Sequence, residues 1–455
     1  MKKSAVILAA GRGHKMYPFS AVRSKTTVKI AGVPLILYNI RTLIALGCET
    51  VIVVTRNAYA REISALVSGL PCVRVVTDDA GIGTADSLLA GAAFLGESGC
   101  CVALYGDTIL GRSDLEALWT ADGGTALVNR LSESPLNWIG AEVLGGRVTH
   151  IGAHERGGRV THGFAGFSLT QACIRALRDT SEYFPNVKVG VGVPRERFLE
   201  AGLVPVAEGG ALSALVCGEP FFDIDKPWHM LAANHCMVEQ SCAALCENRL
   251  GDGAELSPDA DIAGFVQLGK NARIGRGVTI KGSLIAGDGT VIENGAAFEG
   301  SAVIGGGTSI RNFCKIANGV SIGSNCIVDH CAEILGGMLM DKVYFCHYGE
   351  FYGAAGSYTD LGAGTVCGTL RFDDGETPHM VLGRREVPPF FANACYLGDY
   401  CRTGVGAMLM PGTTVGPYSV IGPGVLLARD LPERSLLRLK QEQVVTDWGE
   451  ARYGW

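Results

Sequence analysis

At 455 residues the chain is too long for one ordinary hydrophobic core, and two or three domains are expected. Hydrophobic residues make up 47% and charged residues 18%, which excludes a disordered class and favours well-packed globular domains. The net charge of −6, without a lysine/arginine block, argues against nucleic acid as a partner, and the lack of a run of 18 apolar residues argues against a membrane span.

The first apolar run, Ala5–Ala10 (AVILAA), stops at Gly11. Although Met1-Lys2-Lys3 precede it, it reads as a buried first strand and not as a targeting segment. Thr50–Thr55 and Cys101–Tyr105 read as further buried strands, with helices over Pro34–Leu46 and Thr84–Leu95 between them. Strands alternating with helices predict βαβ units and a doubly wound α/β sheet, whose ligands bind beyond the carboxyl ends of the strands. Residues 116–222 are less regular, with a hairpin expected within Ile139–Ile151. A helix is expected from Lys226 to about Leu250, capped by Asp225 with Pro227 in its first turn. Sixteen cysteines scattered along the chain without a CxxC read as reduced thiols of a cytoplasmic protein.

The C-terminal half carries a period of six. Ile304, Ile310, Ile316, Ile322, Val328 and Ile334 follow one another at that spacing, and so do Leu397, Thr403, Leu409, Val415, Ile421 and Leu427. Six fits neither an α-helix nor a hairpin strand; it fits a parallel β-helix with three hexads per coil. The division expected is 1–228 for the α/β domain, 229–262 for a linker helix and connection, and 263–455 for a left-handed parallel β-helix with a C-terminal tail. The tail around Trp448, Tyr453 and Trp455 either packs on a neighbouring subunit or folds back on its own chain.

Residues 8–35, LAAGRGHKMYPFSAVRSKTTVKIAGVPL, resemble without a gap the signature of sugar-1-phosphate nucleotidylyltransferases. Gly11 and Gly13 free the turn after the first strand of Cβ atoms, so that backbone N–H groups can approach a triphosphate. The resemblance implies nucleotide binding by Leu8, Ala10, Gly11 and Gly13, and phosphate contacts from Lys25. Lys15 stands where the family usually has an arginine; it keeps the charge and loses the bidentate fork. GTADSLLAG resembles the family's base-reading element, which assigns Gly83 and Thr84 to the nucleobase. Gly106-Asp107 and Phe222–Trp228 match the two elements that supply the metal carboxylates, here Asp107 and Asp223, a set suited to Mg²⁺. Gly140 matches a glycine near the sugar, whereas Ala153-His154-Glu155 and Phe164-Ala165-Gly166 depart from the family's sugar-binding segments.

Asp78 occupies the position of a base-reading glutamine. As a carboxylate acceptor it favours CTP or GTP over UTP or dTTP, unless it caps the following turn.

Over its whole length the chain resembles, as a divergent member, the bifunctional nucleotidyltransferase/acetyltransferases of the N-acetylglucosamine-1-phosphate uridyltransferase type. That resemblance implies pyrophosphate-releasing transfer from a nucleoside triphosphate to a sugar 1-phosphate, a homotrimer built through the β-helix, and acetyl-CoA as a further partner. His347 aligns with the acetyl-transfer base segment and reads either as that base or as an ordinary surface or core histidine. Three classes stay open: a nucleotidyltransferase with a structural β-helix, a bifunctional enzyme, and a nucleotide-binding regulatory protein without turnover.

Overall fold

The computed structural model describes residues 4–95, 100–131, 138–155, 158–184 and 195–452. Residues 1–3 lie outside this set, and so do Tyr453 and Trp455 of the tail. The chain divides into two compact units, Met1–Met237 and Val238–Trp455.

Besides a two-residue ribbon of Lys29–Ile30 with Val33–Pro34, the described strands of the first unit are β1 (Ser4–Leu8), β2 (Thr50–Thr55), β3 (Val73–Thr77), β4 (Cys101–Tyr105), β5 (Thr108–Ile109), β6 (Thr125–Arg130), β7 (Ile139–Leu144), β8 (Arg147–Ala153), β9 (His162–Leu169), β10 (Ser213–Val216) and β11 (Phe222–Asp223). Nine of them form one sheet in the order β3-β2-β1-β4-β9-β6-β10-β8-β7. The neighbours β3, β2, β1 and β4 are mutually parallel, and β9 then joins β4 antiparallel. The three segments expected as buried strands, within β1, β2 and β4, are parallel, and beyond β4 the sheet is mixed. Helices α1 (Leu35–Ala45), α2 (Asn57–Val67) and α3 (Thr84–Ala92) connect these strands.

Burial follows the period of two. Ala5, Ile7, Val51 and Val53 face a core shared with Ile36 and Ile40 of α1 and Ile63 of α2. Val6, Leu8, Ile52 and Val54 face the other core, with Leu88 of α3. Both faces of β1 are covered, which is why AVILAA is an uninterrupted apolar run. After β1 the chain winds to β2 and β3 on one side and returns to β4 on the other. The gap between β1 and β4 is thus the topological switch point, where a crevice opens beyond the strand ends. Helix α4 (Arg112–Thr120), α5 (Gln171–Ala176) and α6 (Leu199–Glu208) follow, and α7 (Pro227–Ala243) carries the division between the units.

The second unit consists of short strands in parallel ladders. Arg249 pairs with Gln267, Glu255 with Arg273 and Asp261 with Thr279, so each strand lies on the one 18 residues later. Three ladders at that offset are three hexads per turn, consistent with a β-helix. Strand pairing begins at Arg249, upstream of residue 263. Ile304, Ile310, Ile316, Ile322, Val328 and Ile334 are all buried, as are Leu397, Leu409, Val415, Ile421 and Leu427, and these side chains fill one continuous core. Between the two runs the spacing contracts: Val328 pairs with Phe345, and Phe345 with Leu361. Leu361 then pairs with Thr403, because the chain leaves the coil after Cys367 for an excursion that contains the hairpin His379–Val381 and Arg384–Glu386. All sixteen cysteines are free thiols, ten of them buried. Among the described residues no helix is long and apolar enough to cross a membrane.

Candidate active site

The switch point gathers the residues singled out in the sequence. Ala9 N–H donates to Val54 O at 2.8 Å, Arg56 Nε donates to Ala10 O at 2.7 Å, and Gly106 N–H donates to Leu8 O at 2.8 Å. These bonds fix the end of β1 against β2 and β4. Beyond them the chain turns through Gly13, at φ +66, into a 3₁₀ turn over His14–Met16. The backbone N–H groups of Gly11, Arg12, Gly13, His14 and Lys15 have no hydrogen-bond partner among the described residues. Successive free N–H groups at a turn form a concavity suited to an anion.

The two glycines differ in their reasons. A Cβ on Gly13 would lie 2.9 Å from Lys25 Cβ, so this glycine serves the fold. A Cβ on Gly11 would meet nothing within 4 Å, so nothing in the chain itself demands glycine there.

Lys25 begins a 3₁₀ turn that Ser24 caps through Thr26 N–H. It is 7% exposed, and its Nζ lies 2.6 Å from Asp107 Oδ2 and 3.5 Å from Asp225 Oδ1. Burial alone would lower its pKa, but the carboxylates of Asp107, Asp225 and Asp223 outweigh burial and raise it above the ordinary lysine value. Strands β5 and β11 pair antiparallel with Asp223 opposite Thr108, which brings the two expected carboxylate segments side by side. Ile224 N–H donates to Asp107 O at 2.9 Å across the same junction. Burial, and then the negative charge of Asp107, pushes the Asp223 carboxyl up.

Asp225, expected as a helix cap, enters the site. Its carboxylate accepts from Lys15 Nζ at 2.8 Å and pairs with Lys25. Burial opposes its ionisation, yet Lys25 and Lys15 hold its carboxyl below the ordinary range. The site therefore has three carboxylates and two lysines, where two of each were expected. The signal for the third was the Asp-x-Asp spacing, which places both side chains on one side of an extended segment.

The donor set fits a divalent cation. Asp107 and Asp223 lie close enough for their charges to interact, and each lysine already faces a carboxylate, Lys25 that of Asp107 and Lys15 that of Asp225. Among the described residues no group of three or more His, Cys, Asp and Glu side chains forms a preformed metal cage. Mg²⁺ needs none, since it takes one or two carboxylates and fills its octahedron with phosphate oxygens and water.

Gly83 and Thr84 start α3 against the segment that leads into α6. A Cβ on Gly83 would collide with the Arg197 backbone, Ala85 N–H donates to Arg197 O at 3.0 Å, and Leu199 N–H donates to Thr84 Oγ1 at 2.8 Å. Arg197 also pairs with Asp86 and donates to Thr180 O and Arg178 O, a junction that no local sequence signal announced. Gly140 is required by close strand approach, because its Cβ would collide with His162 O.

Of the two roles expected of Asp78, the cap of the following turn is the one its bonds show. Its Oδ1 accepts from Gly81 N–H at 2.8 Å and its Oδ2 from Ser87 Oγ at 3.2 Å. It closes the turn before α3.

In the second unit His347 lies exposed at a coil corner with φ +67. Its Nδ1 lies 2.9 Å from His330 Nδ1, and the Tyr348 hydroxyl lies 3.1 Å from His330 Nε2. The nucleotide-site residues and His347 thus belong to different units.

A strand-ending row of free N–H groups, two lysines and neighbouring carboxylates form an arrangement suited to a polyphosphate and a divalent cation. Residues 5–218 match the MobA-like NTP transferase domain family, and the protein is a transferase. Over 448 residues, 97% of this chain and 99% of the relative, it is 25% identical to the "Bifunctional protein GlmU" of Methanococcus vannielii. It is 29% identical over 124 residues to the protein of that name from Methanococcus maripaludis strain S2, a match that spans only 30% of that relative's length. It is 35% identical over 72 residues, 16% of this chain and 18% of the relative, to the "Bifunctional sugar-1-phosphate nucleotidylyltransferase/acetyltransferase" of Sulfurisphaera tokodaii.

Proposed function

We propose that the first unit transfers a nucleotidyl group from a nucleoside triphosphate to a sugar 1-phosphate and releases pyrophosphate. The observation that carries this reading is the row of unpartnered N–H groups from Gly11 to Lys15 beside the Lys15–Asp225–Lys25–Asp107 chain of charge. The N–H row and Lys15 bind the triphosphate. Lys25 lies where the acceptor phosphate and the α-phosphate meet, and its buried ammonium holds both anions together. An oxygen of the sugar phosphate attacks the α-phosphorus in line, a P–O bond forms, and the bond to the β-phosphate oxygen breaks. Asp107 and Asp223 would hold Mg²⁺, whose charge offsets that of the phosphate oxygens. The product is a nucleoside diphosphate sugar.

The test is pyrophosphate release from each common nucleoside triphosphate against a panel of sugar 1-phosphates, with and without a chelator. Release that depends on Mg²⁺ supports the reading. Silence across the whole panel refutes it and favours a nucleotide-binding regulatory protein.

For the second unit the reading is a left-handed hexapeptide β-helix through which chains associate as trimers. The exposed Leu370, Phe372, Leu382 and Phe390 of its excursion support association. Acetyl transfer from acetyl-CoA is the second reading. It is favoured by His347, whose Nδ1 is oriented by His330 while its Nε2 has no hydrogen-bond partner among the described residues.

A further inference from the structure

One cluster in the second unit lies outside everything assigned to nucleotidyl transfer. Asn294, Asn312, His330 and His347 follow one another at one corner of successive coils, all in the left-handed region with φ between +52 and +67. The asparagines continue the stack by bonding to each other, Asn294 Nδ2 donating to Asn312 Oδ1 at 3.0 Å. The two histidines change its chemistry. Both are exposed, and their Nδ1 atoms face each other at 2.9 Å with ring centroids 5.1 Å apart. Facing imidazole nitrogens at this distance hold one proton or one cation between them, because two N–H groups would point at each other.

The corner is built rigidly around that gap. Asp329 Oδ1 accepts from Asn312 Nδ2 and from His330 N–H, each at 2.7 Å, and Asp329 Oδ2 faces Arg311 at 3.2 Å. Tyr348 takes a left-handed position, φ +58, that Gly295 and Gly364 hold in other coils. A bulky residue is strained there, and such strain persists where it places a side chain that is needed. Here it places a hydroxyl 3.1 Å from His330 Nε2. By accepting from Nε2–H, that hydroxyl leaves the lone pair of His330 on Nδ1, which is how a neighbouring group orients a metal-binding histidine.

The distance between the nitrogens selects the ion. Two nitrogens 2.9 Å apart, each about 2.0–2.1 Å from a cation, subtend about 90° at it. That angle belongs to the square-planar and tetragonal centres of Ni²⁺ and Cu²⁺, and it is narrower than the tetrahedral angle that Zn²⁺ adopts. Among the described residues no third His, Cys, Asp or Glu completes a cage, so the other positions of such an ion fall to water or a small ligand.

We propose that His330 and His347 chelate a divalent cation of the nickel–copper class through their Nδ1 atoms, with Tyr348 as the residue that positions His330. The site is independent of nucleotidyl transfer. It competes with a general-base role of His347, because a cation on Nδ1 leaves the proton on Nε2. Calorimetric titration of the full chain with Ni²⁺ and with Zn²⁺ tests it, in an excess of Mg²⁺, a hard ion that suits carboxylates and not imidazoles. The variants are His330→Asn and His347→Asn, which install the residue this corner already carries at Asn294 and Asn312 and so keep the coil intact. Each should weaken Ni²⁺ binding by at least about thirtyfold, and Tyr348→Phe should weaken it by about tenfold. A parent protein that binds no Ni²⁺, or binds Zn²⁺ more tightly, overturns the proposal whatever the variants do. Binding that survives in either asparagine variant, or a thiolate-to-nickel absorption band in the parent, overturns it as well. Unchanged affinity in Tyr348→Phe overturns the positioning role of the tyrosine.

Discussion

Gly11→Ala separates a glycine kept for a ligand from one kept for the fold. The added methyl meets no atom within 4 Å, and Gly11 does not have the left-handed φ of Gly13. Its cost to stability should stay within about 0.5 kcal/mol, so the melting temperature of the first unit should move by no more than about 2 °C. The methyl nevertheless stands beside N–H groups that the account assigns to the triphosphate. Loss of one hydrogen bond to a charged oxygen is worth roughly 1.5–3 kcal/mol, which lowers kcat/KM for the nucleotide by about tenfold to a hundredfold. Gly13→Ala is the contrast, since its left-handed φ and the 2.9 Å approach to Lys25 Cβ should cost roughly 1–2 kcal/mol of stability. Thermal melts and pyrophosphate release on the two variants decide the matter. A Gly11→Ala protein with the parent's kcat/KM would refute the anion cradle.

Asp78→Ala should cost about 1–2 kcal/mol through the lost bonds to Gly81 N–H and Ser87 Oγ, read as a lower melting temperature, and should leave the order of nucleotide preference unchanged. Lys25→Met removes the cation between Asp107 and Asp225. Because those carboxylates are still about a quarter exposed, the cost should fall near 3 kcal/mol, a melting shift on the order of 6–12 °C, with turnover abolished. If the second unit transfers acetyl groups, thiol release from acetyl-CoA in the presence of an amino-sugar phosphate should vanish in His347→Ala. A parent protein that releases none leaves the coils a structural role.

Much of this architecture was legible because it rests on local patterns. AVILAA followed by Gly-x-Gly marks a strand covered on both faces and its ligand-binding turn, and a strict hexad column has few other structural solutions. The two hexad runs stop being visible between Ile334 and Leu397 because the coils there shorten and then open into an excursion, as the pairings Val328–Phe345, Phe345–Leu361 and Leu361–Thr403 record. What stayed hidden depends on contacts between distant segments. An aspartate before a proline-initiated helix reads locally as a cap, and its pairing with Lys15, 210 residues away, leaves no local sign. Asp78 shows the opposite case, a residue with a plausible ligand role that a turn three residues long claims first. Tyr105 and Glu200 are 95 residues apart, and no spacing in the sequence predicts that they meet.

Asp107→Asn probes whether Asp107 belongs to the reacting centre. The substitution keeps the shape of the side chain while removing the charge that Lys25 faces at 2.6 Å. Mg²⁺-dependent pyrophosphate release should fall by at least about a hundredfold, consistent with the weight of preorganised charge in such centres, while the protein stays folded. A folded Asp107→Asn protein that turns over like the parent would place the reacting centre elsewhere.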